Sequence, residues 1–177
     1  MIDKPIPASY WVLPGKFLAG EYPGLGHDLA GTRRRLTAFL KAGFDHFIDL
    51  TSENERPPYL SILSKEAEFM GRAVRHQRFS FPDFSVPSRA SMVAALDAID
   101  AALAEGRMVY LHCVGGIGRT GITVGCYLVR HGMKPADALS HLRELYLTSL
   151  QSLIVPVTPE TKEQAGFILN WDENGLA

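Results

Sequence analysis

The spacing of apolar and polar positions changes period repeatedly along the chain, dividing it into alternating strands and helices. Residues 10–13 and 16–19 are short apolar runs around Pro14-Gly15, the pattern of an N-terminal β-hairpin. Residues 1–9 read as a loose lead-in, and 21–26 as a loop bearing proline and glycine. Asp28 is placed to cap a helix with Leu29, Leu36, Phe39 and Leu40 on one face, ending at Gly43. Residues 44–50 predict a strand, 51–58 a polar loop with two prolines, 60–70 a short helix and 73–79 another strand. A loop over 80–87 leads to Ser88, the cap of a helix carrying Met92, Val93, Leu96, Ile99 and Leu103 at helical spacing and stopping at Gly106. Residues 108–111 are continuously apolar, as in a fully buried strand. A glycine loop over 113–119 then feeds a helix over 120–131, closed by Gly132. A helix over 135–146 opens on Pro135, and 147–157 form a connector. Thr158-Pro159-Glu160 predicts the cap, first turn and early acid of a last helix reaching about Trp171. Methionine and phenylalanine on these helices are read as core.

Strand–helix alternation from residue 28 onward predicts an α/β fold. A single domain over 1–177, with the fold proper over 10–177, would hold a mostly parallel twisted sheet of about four to five strands between helices on both faces. With 21% charged residues and a net charge of −1, the chain offers no bulk charge for nucleic acid or a membrane surface. The start, Met1-Ile2-Asp3-Lys4-Pro5, lacks the pattern of a signal peptide, and no apolar run is long enough to span a bilayer. Two cysteines, Cys113 and Cys126, do not make a disulfide framework, and Cys126 falls inside an apolar helix as a small hydrophobe. The expectation is a cytoplasmic monomer without cofactor.

The chemistry concentrates in the stretch from His112 through Gly121. A strand passing through a glycine loop into a helix N-terminus presents unpaired N–H groups and the positive end of the helix dipole to an anion. Gly115, Gly116 and Gly118 permit positive φ or close backbone approach, so the amides from Val114 to Gly118, including Ile117, can turn inward around a phosphate. Arg119 adds a planar fork for two phosphate oxygens. The same field favours the thiolate of Cys113, the form in which cysteine attacks. Thr120 can reach back to the sulfur with its hydroxyl, and His112 is expected to orient the loop through hydrogen bonds. Ester cleavage also needs an acid for the leaving oxygen. Asp83 lies in Phe81-Pro82-Asp83-Phe84, whose loop reaches the same sheet edge if the preceding strands run parallel. Its aromatic and proline neighbours are expected to desolvate it and favour the protonated form. A Walker-type loop is excluded by the missing Gly-Lys-Ser/Thr ending, and no second cysteine pair supports zinc.

Together, His112-Cys113, five intervening residues and Arg119-Thr120-Gly121 resemble the signature of the cysteine-dependent protein tyrosine phosphatases. The chain length and the Pro82-Asp83 loop are similar to the small dual-specificity branch. The stretches from Trp11 to Pro23 and from Thr158 to Gln164 look like its microbial members. The resemblance implies metal-independent hydrolysis of phosphorylated protein side chains, phosphotyrosine first, through a phosphocysteine on Cys113. Asp83 would serve as acid and then base, and the loop amides with Arg119 would hold the phosphate. Arg119 is followed by Thr-Gly, a form more usual in tyrosine-specific and phosphatidylinositol branches, and no pocket-deepening recognition loop is evident. Uncharged Val114 and Ile117 argue against the alternative of an inositol-phosphate or phosphoinositide substrate. A phospho-binding module without turnover would need a lost cysteine, arginine or acid, and a rhodanese-like sulfur carrier would not need Asp83.

Other residues read more plainly. Glu53, Glu55 and Tyr59 are expected to be solvated loop residues, one of them a candidate pocket-liner. Arg33, Arg34 and Arg35 read as a solvated helix face, and Gln164 as a residue that either faces the site or caps its helix. His27, His46, His76, His131 and His141 share no spacing and are assigned no role.

Overall fold

The computed structural model describes residues 3–173. The five strands are β1 (Ser9–Leu13), β2 (Phe17–Gly20), β3 (His46–Asp49), β4 (Arg75–Arg78) and β5 (Val109–His112). The helices are α1 (Leu29–Lys41), α2 (Leu60–Phe69), α3 (Arg89–Ala104), α4 (Gly118–Arg130), α5 (Pro135–Tyr146) and α6 (Lys162–Leu169). The sheet order is β1-β2-β5-β3-β4; β1 and β2 form the antiparallel hairpin, and the remaining pairings are parallel. The predicted single-domain α/β fold with helices on both faces is the observed one.

Alternation along the strands divides the core in two. Val109 and Leu111 of β5, with Ile48 of β3 and Phe17 and Ala19 of β2, pack under Leu96 and Ile99 of α3 and Ile122 and Cys126 of α4. Tyr110 of β5, Phe47 of β3 and Leu18 of β2 face the other way, onto Leu36, Phe39 and Leu40 of α1 and Leu63 of α2. Polar, outward β4 is an edge strand, which lets Arg75 and Arg78 stand in it. Central β5, between β2 and β3, is buried throughout, as a central parallel strand should be.

Register matters most for the site. Gly20 of β2 pairs with His112 of β5, His112 with Asp49 of β3, and Asp49 with Arg78 of β4. All four parallel strands therefore end in one row, and the segments that follow them emerge at a single edge.

Helix caps at Asp28 and Ser88 form as predicted, each side-chain oxygen accepting an N–H three residues on. Several details differ. Leu29 sits in the exposed first turn of α1, 66% accessible, because the buried face there is taken by Gly31 and Thr32. Phe69, at the frayed end of α2, is exposed rather than core. Within the described residues, the lead-in is packed, not loose: Ile6 is buried, and the Pro7 carbonyl accepts from Leu150 N–H at 3.0 Å. The connector holds a 3-10 turn over Leu150–Leu153. The last helix begins at Lys162 with Thr161 as its cap, not at Thr158. Thr158 is buried and donates its hydroxyl to the Ile117 carbonyl at 2.8 Å, so the glycine loop claims it. Among the described residues, no helix is long and apolar enough to cross a membrane.

Truncating a central core residue should cost far more than an exposed apolar one. Leu96→Ala, fully buried in α3, is expected to lower unfolding free energy by about 2–5 kcal/mol, and Phe69→Ser by roughly 0.5 kcal/mol or less, in urea titrations.

Candidate active site

The loop after β5 is short. Helix α4 begins at Gly118, two residues earlier than its sequence pattern suggests, so the loop proper is 113–117 and Arg119 stands in the first helical turn. Among the described residues, the amides of Val114, Gly115, Gly116 and Ile117 donate to no protein acceptor, as an anion cradle requires. Two outside contacts fix the loop's shape: Tyr22 N–H donates to the Val114 carbonyl at 2.9 Å, and Thr158 holds the Ile117 carbonyl. Gly116 has φ +71° and presses against Gly20, so a Cβ there would collide with the β2 backbone. Gly118 is required for proximity instead, since a Cβ would strike the Glu160 carboxylate. Gly115 meets neither constraint.

Cys113 is buried at the loop entrance and Arg119 lies just below its exit, both almost fully covered. A guanidinium in that position needs partners. Glu55, expected to be solvated, supplies them: its two oxygens meet Arg119 Nη1 at 2.8 Å and Nη2 at 2.6 Å. The guanidinium in turn holds the Glu55 carboxyl below the usual carboxylate range. Asp83 Oδ1 lies 3.2 Å from Arg119 Nη2, so its loop does reach this edge. The expected desolvation of Asp83 is not found. Its side chain is 47% exposed, because Phe81 turns into the core and Phe84 turns out to solvent.

Pairing with Glu55 leaves the Arg119 Nε as a buried donor without a partner among the described residues. The Thr120 hydroxyl is a second such group and makes no bond to the Cys113 sulfur. Both sit in the first turn of α4, where a ligand oxygen would complete them.

His112 faces the second core. Its Nδ1 lies 3.2 Å from the Cys113 carbonyl, which can only accept, so we assign the hydrogen to Nδ1; Nε2 then accepts from the Tyr59 O–H at 2.7 Å. Tyr59, another residue expected to be solvated, is thus a buried support, whereas Glu53 is exposed. Burial pushes His112 down to about 4 despite Asp49 nearby. Burial opposes the Asp49 charge too, but His76, His112, Thr51 and Arg78 hold that carboxyl well below its ordinary range. His76 therefore belongs to the buried support, while among the others His46 bonds Gln77 and His131 meets Asp100, away from the loop.

Gln164 does both things the sequence left open. It completes a capping box with Thr161, and its Nε2 donates to the Ser85 carbonyl at 3.1 Å, tying α6 to the Asp83 loop. Glu160 was missed by sequence reasoning, which read it as a first-turn acid. Burial pushes its carboxyl up, with Asp83 adding to the effect. Arg33 and Arg34 are exposed as expected; Arg35 reaches Glu21 at 2.7 Å. Cys113 and Cys126 are both free, and burial raises the Cys126 thiol well above its ordinary range. Among the described residues, no group of three or more His, Cys, Asp or Glu is arranged to hold a metal ion.

The chain is similar in sequence and in fold to known proteins. The family model for the polymorphic toxin system DSP-PTPase phosphatase matches residues 30–133. The chain is 35% identical over 142 residues to the mouse dual specificity protein phosphatase CDC14B, covering 75% of this chain and 26% of that protein. It spans only 15–26% of the length of the first curated relatives it matches. Among solved structures, the active form of Tk-PTP superposes with a TM-score of 0.64 at 26% identity, covering 92% of this chain and 94% of the other. PTPMT1 in complex with PI(5)P gives 0.66 at 19% identity, over 92% and 94% of the two chains, which is a likeness of fold.

Two outcomes follow from the buried support and the glycine contact. Protonation of His112 is disfavoured in the fold, so its contribution is fully present above about pH 6.5 and is lost as pH falls toward 4. Urea titrations should show about 2 kcal/mol lost between roughly pH 7 and 5, with a shallower slope in His112→Asn. Gly116→Ala should lower stability and weaken phosphate binding together, read by urea titration and calorimetry, because the loop cannot move off Gly20 without spreading its amides.

Proposed function

Since the chain belongs to the DSP-PTPase phosphatase family, we propose that it hydrolyses phosphomonoesters on protein side chains, phosphotyrosine foremost, through a covalent phosphocysteine. The observation that carries this reading is the convergence of buried Cys113, buried Arg119 and the Asp83 carboxylate, 3.2 Å from that arginine, at one sheet edge.

The Cys113 thiolate attacks phosphorus in line, forming the S–P bond as the ester P–O bond breaks. Asp83 gives its proton to the departing oxygen. Water then attacks phosphorus, the Asp83 carboxylate takes a proton from it, and the S–P bond breaks to release inorganic phosphate and the thiolate. The amides of Val114, Gly115, Gly116 and Ile117, with Arg119, stabilise the charge on the equatorial oxygens, so the reaction asks for no metal; the Gly118 N–H, read from sequence as a fifth donor, is taken by Glu160. Thr120 offers its orphaned hydroxyl to the sulfur as it leaves. His112 acts through the Cys113 carbonyl as a positioning residue and moves no proton.

A phosphoinositide is the alternative raised by the fold shared with PTPMT1. Three carboxylates, Glu55, Asp83 and Glu160, surround the single arginine, and the variable loop positions Val114 and Ile117 carry no charge. Within the loop itself, those carboxylates disfavour crowding several ring phosphates around Arg119 and leave room for one phosphoryl group.

Cys113→Ser is expected to bring para-nitrophenyl phosphate hydrolysis to background while retaining phosphate binding; wild-type turnover in that variant would sink the mechanism. Asp83→Asn should lower kcat on phosphotyrosine peptides by roughly 10²–10⁴-fold, with a smaller loss on para-nitrophenyl phosphate, whose leaving group needs less protonation. Steady-state rates on both substrates measure the difference.

A further inference from the structure

Beside the phosphate loop lies a hollow of about 330 Å³, bordered by Val114, Glu21, Tyr22, Leu25, Arg35 and Arg56. Val114 immediately follows the nucleophile, so whatever enters this hollow lies one residue from the reacting sulfur. Two guanidiniums face it. Arg35 is engaged by Glu21, with Nη1 2.7 Å from Oε1. Arg56 is exposed and, among the described residues, makes no ion pair or hydrogen bond. Two cations against the one carboxylate of Glu21 leave a single positive charge uncompensated.

The backbone on either side of Arg56 is anchored. Glu55 grips Arg119 through both carboxylate oxygens, and the Pro57 carbonyl accepts from the Tyr22 O–H at 3.1 Å. The free guanidinium is thus displayed from a loop pinned to the catalytic arginine on one side and to the wall of the hollow on the other. Tethering the backbone on both sides of Arg56 reduces the loop-ordering cost of binding, while the side chain itself stays free to reach the anion.

We propose that this hollow is a second anion subsite, in which Arg56 takes a carboxylate or phosphoryl group carried next to the phosphorylated residue of a polypeptide substrate. The proposal rests on the protein-substrate reading above and narrows it to sequences with an acidic or phosphorylated neighbour. One uncompensated charge matches one additional anionic group. Arginine suits both candidate groups, since its fork can meet two oxygens of either.

The test compares kcat/KM on phosphotyrosine peptides that differ only in having Glu, phosphoserine or Gln beside the phosphotyrosine. The wild-type protein should favour the Glu and phosphoserine peptides over the Gln peptide by about tenfold, mainly through KM, and less at high ionic strength. Arg56→Gln should bring the ratio to about one, Arg56→Lys should keep part of it, and Arg56→Glu should favour a Lys-flanked peptide instead. A wild-type ratio of one, or one unchanged in Arg56→Gln, overturns the subsite while leaving the protein-substrate reading intact. Turnover of para-nitrophenyl phosphate and inositol phosphates but of none of the peptides overturns both.

Discussion

A buried guanidinium must be paired, and much of this site follows from where Arg119 finds its partners. The side chain is 1% exposed in the first turn of α4, where leaving its charge uncompensated would cost several kcal/mol. Glu55 meets it with a bidentate pair, and Asp83 approaches from another loop. One arginine thereby draws together the segments after β3, β4 and β5. Its pairing also leaves Nε as a buried donor without a partner among the described residues.

That convergence depends on strand register. Because Gly20, His112, Asp49 and Arg78 stand in one row, the loops that follow begin at the same height above the sheet. Asp49 locks the row from within, accepting from Thr51 and Arg78 while facing His112 and His76. Beneath the glycine loop, burial keeps His112 neutral, and Tyr59 and the Cys113 carbonyl fix its ring from either side. The geometry of the candidate site and the stability of the fold are therefore supported by the same buried polar cluster. Such clusters are costly when partly satisfied and specifying when complete.

The helices on either face divide the remaining work. α1 and α2 cover the side that holds His112 and Tyr59, and α3 to α6 cover the side under Cys113. Through Thr158 and Gln164, the approach to α6 joins the phosphate loop to the Asp83 loop, a connection formed by residues 41 and 79 positions apart from their partners.

Local pattern was enough to read the strand–loop–helix around Cys113, the caps at Asp28 and Ser88, the hairpin and the α/β alternation, because each depends on neighbours within a few residues. That the glycine loop and the Asp83 loop reach one sheet edge was legible for the same reason, from the strands that precede them. The partner of Arg119, the burial of Tyr59, the exposure of Asp83 and the service of Thr158 to the phosphate loop were not. Each is set by which loops share a sheet edge, and in sequence Glu55 is simply an acid in a polar, proline-bearing stretch. Sequence by itself determined the fold class and the glycine loop with its cysteine; only the tertiary structure decided which carboxylates surround it, because strand order and register bring together residues that the chain keeps far apart.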